Sequence, residues 1–277
     1  MNDFSPEWLD LREAADARAR NANVANAVAA RFTLREELNV LDLGCGTGAN
    51  LRATAPLLPS RQTWTLVDRD VALLDAAKGK LTRWADRHIV EGDALEIEKG
   101  GRKIRVVFRE ADLARDTKAL VDEGAQLITA SAFFDLTSES YIREFAKAVT
   151  SRRAAFYTTL TYNGLQKWTP HRPADNQIAA AFQRHQMRDK GFGPAAGPLA
   201  SSHLVDQFRI NGYVVLNGQS PWELERQDRM LIEELLRGYA VAATEDGGLD
   251  EKTVVAWLNV PRTAAFIGHT DVFATPP

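Results

Sequence analysis

The chain is poor in the residues that mark several functional classes. It has a single cysteine, Cys45, which excludes an internal disulfide framework and fits a reducing cytosol. Its five histidines are dispersed, so no Cys/His cluster has the spacing of metal ligands. Neither a Walker A sequence nor a Gly-x-Ser-x-Gly elbow occurs. These absences predict a protein without a metal centre and without P-loop or serine-hydrolase chemistry.

Long apolar runs and an excess of positive charge are missing as well. No run approaches the ~20 apolar residues that cross a bilayer, and the N-terminus lacks a secretory signal pattern. Lys and Arg are scattered along a chain of net charge −3, without the basic stripe of a general nucleic-acid binder. The 277 residues are 45% hydrophobic, which suffices for a buried core. We therefore expect a cytoplasmic monomer or homodimer that binds neither membrane nor nucleic acid.

What the chain does contain is a glycine loop directly after an apolar run. Residues 40–51 read Val-Leu-Asp-Leu-Gly-Cys-Gly-Thr-Gly-Ala-Asn-Leu, with glycines at alternate positions and a helix-compatible segment behind them. Glycine lacks Cβ, so it turns tightly and lets a ligand approach the backbone. A strand that runs into such a turn directs N–H groups at an anionic or polar ligand. The loop predicts a nucleotide-type cofactor site, in which Cys45 is a small turn-filling residue rather than a nucleophile.

Two cofactor families fit this loop. The pattern Gly44-x-Gly46-x-x-Ala49 satisfies the loose dinucleotide fingerprint. The segment Asp42–Gly48 also resembles motif I of class I S-adenosylmethionine (SAM)-dependent methyltransferases, an acidic residue followed by Gly-x-Gly-x-Gly. Asp42 and Gly48 favour the methyltransferase interpretation. A second strand ends at Asp68, whose carboxylate suits a ribose diol, although Asp68 or Asp70 would also serve as a helix N-cap.

The residue against the adenine amino group has two candidates. Asp112 and Leu113 follow one strand-like segment, and Asp93 follows another. Lys99-Gly100-Gly101-Arg102 is a plausible turn of a hairpin inserted between the two segments. We therefore expect Asp112 and Leu113 at the adenine, with Asp93 as the alternative.

Alternating strand and helix patterns predict an α/β fold with a mostly parallel sheet and helices on both faces. Strands are expected near 39–43, 63–68, 104–109, 126–131 and 154–161, with a rim loop at 161–168 and a helix from Pro221 to Thr244. The resemblance to class I methyltransferases implies a doubly wound, seven-stranded sheet. The expected organisation is an N-terminal helical cap (1–36) and a SAM-binding domain (37–277), with helical insertions near 162–211 and 221–264 in the C-terminal third.

The same resemblance implies SAM as the cofactor and S-adenosylhomocysteine (SAH) as its product. The implied cofactor-binding residues are Asp42, Gly44, Cys45, Gly46, Gly48, Asn50, Asp68, Arg69, Asp112, Leu113, Ala130 and Ser131. N-terminal helices in this class often close over the cofactor. Arg12, Arg18 or Arg20 would then meet the SAM carboxylate or an acidic substrate; the alternative is a solvated helix face.

The acceptor is less defined than the donor. The Asn/Asp-Pro-Pro-aromatic motif of amino-methylating nucleic-acid enzymes is absent after the fourth strand, which favours a small-molecule acceptor. The segment 162–200 is rich in polar and aromatic residues, and the catalytic candidates are Tyr162, His171 and His185. Asp135 is a further candidate base by residue type alone. Two alternatives stay open: an NAD(P)-dependent oxidoreductase, and a catalytically silent SAM-binding regulatory protein.

Overall fold

A computed structural model describes residues 5–277 of the chain. Over this range the strands are β1 (Glu37–Leu43), β2 (Arg61–Asp68), β3 (Arg87–Glu91), β4 (Ala94–Lys99), β5 (Arg102–Glu110), β6 (Leu127–Ser131), β7 (Ala155–Thr169), β8 (Val214–Gln219), β9 (Trp222–Leu224) and β10 (Ala264–Thr275). The α-helices over the same range are α1 (Pro6–Ala19), α2 (Ala22–Phe32), α3 (Ala49–Thr54), α4 (Val71–Trp84), α5 (Leu113–Asp122), α6 (Glu139–Ser151), α7 (Asp175–Gln186), α8 (Ala200–Ile210), α9 (Arg229–Asp246) and α10 (Glu251–Leu258).

All strands of residues 5–277 join one sheet, in the order β3-β4-β5-β2-β1-β6-β7-β10-β8, with β9 paired to β10. The central strands β5, β2, β1, β6 and β7 are parallel, so the expected α/β class with a mostly parallel core is confirmed. The expected count of seven strands is wrong, because this range contains a 10-stranded sheet. The additional strands are the outer hairpin partners β3 and β4, and the short β9.

Helices cover both faces of the sheet, as the alternating pattern predicts. On one face α2, α3 and α4 bury Val24, Leu51 and Leu81 against β1 and β2. On the other face α5, α6 and α8 pack around Phe145 and Phe208. A third apolar cluster joins α1, α7, α9 and α10 to the far ends of β7 and β10.

The inserted hairpin has its predicted turn. β4 ends at Lys99, β5 begins at Arg102, and both intervening glycines have positive φ. β5 then runs parallel to β2, so Asp112 directly follows a central strand.

The C-terminal third departs from the expected elements in three places. The predicted rim loop 161–168 is part of β7, which continues to Thr169 because β10 pairs with it in antiparallel register from Phe156 to Thr169. The predicted helix from Pro221 begins only at Arg229, because Trp222–Leu224 adds to the sheet beside β10. Within the predicted insertion 162–211, α8 packs on the sheet and on α6 as a core helix.

Candidate active site

The glycine loop between β1 and α3 adopts a conformation that only glycine takes without strain. Gly44, Gly46 and Gly48 have φ values of +65°, +52° and +76°. A Cβ at Gly44 would lie 3.1 Å from the Phe133 ring, and one at Gly46 would lie 3.0 Å from a Leu9 methyl. The loop therefore requires glycine both for its φ angles and for the close approach of its neighbours.

Asp68 stands beside this loop at the carboxyl end of β2. Its Oδ2 accepts a hydrogen bond from the Gly46 N–H at 2.9 Å, and its Oδ1 accepts one from the Asp70 N–H at 3.1 Å. The Arg69 N–H also acts on this carboxylate. A carboxylate has about four acceptor positions, so the side chain keeps acceptor capacity for a further donor such as a ribose hydroxyl. Asp70, rather than Asp68, caps α4 through its bond to the Ala72 N–H. Partial burial raises the pKa of Asp68.

A buried polar network supports the loop from beneath. Asp42 is only 1% exposed, and its Oδ1 accepts a hydrogen bond from Asn50 Nδ2 at 2.7 Å. The same Nδ2 reaches Thr129, and Arg20 donates to Asn50 Oδ1 at 2.8 Å. Burial raises the pKa of Asp42 to about 7. Asp42 and Asn50 thus fix the loop to β6 and to the segment between α1 and α2.

Two further predicted cofactor residues lie in the same region. Cys45 is buried in the loop, and burial raises the pKa of its thiol well above the usual range, which agrees with a turn-filling role. Arg69 is exposed and directly follows Asp68.

Asp112 and Asp93 occupy different positions along the carboxyl edge of the sheet. Asp112 caps α5 directly after β5, the neighbour of β2, and Leu113 is buried behind it. Asp93 lies in the exposed turn between β3 and β4, more than one strand width of roughly 4.8 Å farther out. The topology favours Asp112 as the residue nearer to the ribose end of the site.

The ends of β6 and β7 carry local backbone strain. Ala132 and Leu160 have positive φ values of 51° and 58° although neither is glycine. The Ala132 N–H bonds the Thr159 carbonyl at 2.9 Å, and the Leu160 N–H bonds Asp271 Oδ1 at 2.9 Å. Ala130 is buried below this point, and Ser131 accepts a bond from the Thr159 hydroxyl at 3.0 Å. Strained backbone of this kind persists only where surrounding contacts enforce it, and it is common at functional sites.

Helix α1 lies over the glycine loop. Leu9 contacts Gly46, Glu13 forms a bidentate ion pair with Arg52 at 2.7 and 2.8 Å, and Asp10 pairs with Lys80 on α4. The predicted cap therefore covers the loop over its described part; residues 1–4 lie outside the described residues.

The arginines of this region have protein partners. Arg12 pairs with Asp16 at 2.9 Å, and Arg18 pairs with Asp228 at 2.6 Å. Arg20 belongs to the network beneath the loop. Arg12 is only 9% exposed, so it does not belong to a solvated helix face, which was the alternative expected for these arginines.

The three predicted catalytic residues lie in different surroundings. The His171 side chain is 73% exposed and lies 3.9 Å from Asp175. His185 pairs with Glu245 at 2.7 Å across α7 and α9. Tyr162 is buried in β7, and its ring centroid lies 6.3 Å from that of His269. His269 was not predicted, because only the register of β10 against β7 brings it beside Tyr162.

Comparison with known proteins finds one matching domain model and several similar folds. Residues 40–128 match a family model described as a methyltransferase domain. No curated protein sequence matches the chain. The YcgJ protein from Bacillus subtilis has a similar structure, at 15% identity and a TM-score of 0.51, covering 92% of this chain and 99% of that one.

Two further solved structures are similar at lower scores. The cyclopropane synthase MmaA2 from Mycobacterium tuberculosis shares 10% identity at a TM-score of 0.49, covering 99% of this chain and 87% of that one. A Haemonchus contortus phosphoethanolamine N-methyltransferase 2, in complex with phosphomonomethylethanolamine and SAH, shares 9% identity at a TM-score of 0.45. The match covers 100% of this chain and 59% of that one.

Within residues 5–277, no three His, Cys, Asp or Glu side chains are grouped so that they could hold a metal ion. No helix in that range is both long and apolar enough to span a bilayer.

The motif, the family match over residues 40–128 and the fold together confirm the resemblance of this chain to the class I SAM-dependent methyltransferases.

Proposed function

We propose that the chain binds SAM over its glycine loop and transfers the methyl group to a small-molecule acceptor, releasing SAH. The observation that carries this proposal is Asp68, whose carboxylate is held by the backbone N–H groups of Gly46 and Asp70 and keeps acceptor capacity for a ribose hydroxyl. It stands beside three left-handed glycines, inside the segment that matches a methyltransferase domain. This arrangement fits a ribose next to a closely approached backbone.

The proposed cofactor contacts follow the carboxyl edge of the sheet. Gly44, Gly46 and Gly48 provide the backbone surface, and Asp68 accepts the two ribose hydroxyls. Asp112 and Leu113 lie on the adenine side, Ala130 and Ser131 on the sulfonium side, and Arg69 at the entrance. We assign Asp42, Cys45 and Asn50 to the support of the loop, because all three are buried.

SAM, when bound, supplies a methyl group on a positively charged sulfur. The chain contributes alignment: it holds the acceptor in line with that methyl group and keeps water out. α1 suits the exclusion of water, because it covers the loop through Leu9 and the Glu13–Arg52 ion pair. Tyr162, His171 and His185 remain proposed acceptor-side residues. We keep a small cytoplasmic molecule as the expected acceptor, and a monomer or homodimer as the expected state.

Calorimetric titration with SAH, SAM and NADH tests the proposal. We expect SAH and SAM to bind, and NADH not to bind. Replacing Asp68 by Asn removes a charge-assisted acceptor, so SAH affinity should fall about 10- to 100-fold. Asp206→Asn, an exposed carboxylate on α8, is the matched control and should leave the affinity unchanged.

Other outcomes identify the alternatives. Binding of NADH without binding of SAH or SAM would support the oxidoreductase and refute the proposal. Binding of SAM without methyl transfer to any member of a broad metabolite panel, followed with radiolabelled SAM, would support the silent regulatory protein.

A further inference from the structure

A cluster of polar side chains lies next to the glycine loop without a part in cofactor binding. It consists of Asp135, Tyr162, Gln166 and His269, with Arg12 of α1 beside them. Tyr162 and His269 are 6% and 5% exposed. We call these five residues the polar cluster.

The cluster holds several buried polar atoms without a hydrogen-bond partner of normal geometry. They are Asp135 Oδ1, His269 Nδ1, both polar atoms of the Gln166 amide, and the Tyr162 hydroxyl, which faces the side chains of Tyr239 and Gln183. Leaving one such atom unsatisfied costs about 1–3 kcal/mol. The unpaired atoms of Asp135, Tyr162 and His269, with Tyr162 beside both other residues, indicate a site that a polar molecule completes.

Strand register explains why three of these residues face the same side. His269 pairs with Tyr162, and Ile267 pairs with Gln166, across the antiparallel β7 and β10. Directly opposed residues project from the same face of a sheet. A register shift between Ile267 and His269 allows both pairs to be formed, and Gly268 lies in it.

Two short chain segments connect the polar cluster to residues that contact the glycine loop. Leu9, which contacts Gly46, and Arg12, whose charge acts on Asp135 and His269, are one turn apart on the same face of α1. A helical turn rises about 5.4 Å. Similarly Phe133, which packs on Gly44, is two residues before Asp135. The cluster is therefore tied to the glycine loop both through α1 and through the segment that follows β6.

The charges around the cluster select the acceptor. Arg12 is bound by Asp16 at 2.9 and 3.2 Å, and its guanidinium stacks 4.9 Å from the Trp222 ring centroid. Burial raises the pKa of Asp135 to about 6 and lowers that of His269 to about 3, so His269 is neutral. Asp135 opposes an anionic acceptor, and a cationic ammonium acceptor has no free electron pair with which to attack the methyl group. A neutral molecule is left as the compatible class.

We propose that the polar cluster binds a neutral acceptor through its hydroxyl group, with Asp135 as the catalytic base and Tyr162 and His269 as hydrogen-bonding partners. This inference rests on the proposed function. The hydroxyl proton passes to the Asp135 carboxylate as the acceptor oxygen forms its bond to the methyl carbon. The methyl–sulfur bond breaks, and its electron pair stays on sulfur. The products are the methyl ether, SAH and a protonated Asp135.

A binding experiment with three single-ring probes tests the class of acceptor. Phenol, benzoate and benzylamine are titrated into SAH-saturated protein and followed by NMR. We expect phenol to bind at least tenfold more tightly than either charged probe. Asp135→Ala and Tyr162→Phe should each weaken phenol binding about tenfold. Two controls should leave it unchanged: Asp206→Ala, and Tyr213→Phe, which removes a buried hydroxyl that bonds Ala154 instead.

The outcomes separate this inference from the proposed function. Failure of SAH to bind refutes the proposed function. With SAH bound, equal or tighter binding of a charged probe overturns the inference, because the site then does not select a neutral acceptor. The absence of phenol binding also overturns it, because the unpaired atoms then hold water only.

A pH profile of methyl transfer to phenol provides the second test. The charged and titratable groups that act on Asp135 are Arg12 from α1 and Tyr162 from β7. The rate should rise through about pH 6 and then level off. In the Asp135→Asn variant the rate of methyl transfer should fall at least 100-fold, and the rise of the rate near pH 6 should disappear. An unchanged profile in Asp135→Asn would overturn the role of Asp135.

Discussion

Replacing Gly46 by alanine would test the packing of α1 on the glycine loop. Gly46 has a φ of +52°, and an added Cβ would lie 3.0 Å from Leu9 Cδ1. Gly100, in the hairpin turn, has the same φ of +52° but no neighbouring atom within 4 Å of an added Cβ. The two substitutions share the cost of the backbone conformation and differ in the contact with Leu9.

The magnitudes follow from these two terms. A left-handed conformation costs an alanine about 1–2 kcal/mol, and both variants should lose this amount. Overpacking against Leu9 adds about 1–3 kcal/mol at Gly46 only. We therefore expect Gly46→Ala to lose about 2–5 kcal/mol of unfolding free energy, and Gly100→Ala about 1–2 kcal/mol.

Urea unfolding followed by circular dichroism measures these costs in Gly46→Ala, Gly100→Ala, Leu9→Ala and the double variant of Gly46 and Leu9. Removing the Leu9 methyl groups should relieve the overpacking. The double variant should then be more stable than the sum of its single changes predicts, by about 1 kcal/mol or more. Gly46→Ala should also weaken SAH binding, which Gly100→Ala should not. Equal losses at both glycines, together with additive effects of Leu9→Ala, would refute the placement of α1.

Two further substitutions test buried charges. The raised pKa of Asp42 means that the folded state holds a proton that the unfolded state releases between about pH 4 and 7, so stability falls as pH rises through that range. Asp42→Asn should remove this fall. Its unfolding free energy, measured with urea, should therefore gain about 2–4 kcal/mol more over the natural chain at pH 8 than at pH 5. The same gain at both pH values would contradict this. Asp175→Ala leaves the buried Arg262 without its carboxylate partner and takes the acceptor from Trp257, so it should cost about 3–5 kcal/mol. Thermal unfolding measures this loss, and a change below 1 kcal/mol would contradict it.

The first half of the chain was predictable because its signals are local. Three signals determine the structure of only a few neighbouring residues each: the alternate glycines, the acidic residue at the end of β2 and the Gly-Gly turn. The structure accordingly has left-handed angles at Gly44, Gly46 and Gly48, and a hairpin turn at Gly100 and Gly101. What remained open there was the choice between Asp112 and Asp93, which depends on which strand lies beside β2.

The second half was less predictable because its structure depends on distant pairing. β7 continues for 15 residues only because β10, about 100 residues later, pairs with it. The polar residues of 162–169 have the composition of a loop, and no local pattern indicates their partner strand. For the same reason Tyr162 was a candidate from the sequence and His269, which lies opposite it, was not.

Asp135 shows how a residue type becomes a site only through its neighbours. By itself it was one candidate base among several, in a turn after β6. α1 changes this, because Leu9 ties that helix to Gly46 while Arg12 brings a charge to Asp135 and His269. Since one rigid helical turn joins the two contacts, a displacement of α1 must disturb the glycine loop and the polar cluster together. We therefore expect donor and acceptor binding to be coupled through α1, so that a loss of the Leu9 contact weakens SAH and phenol binding in the same variant.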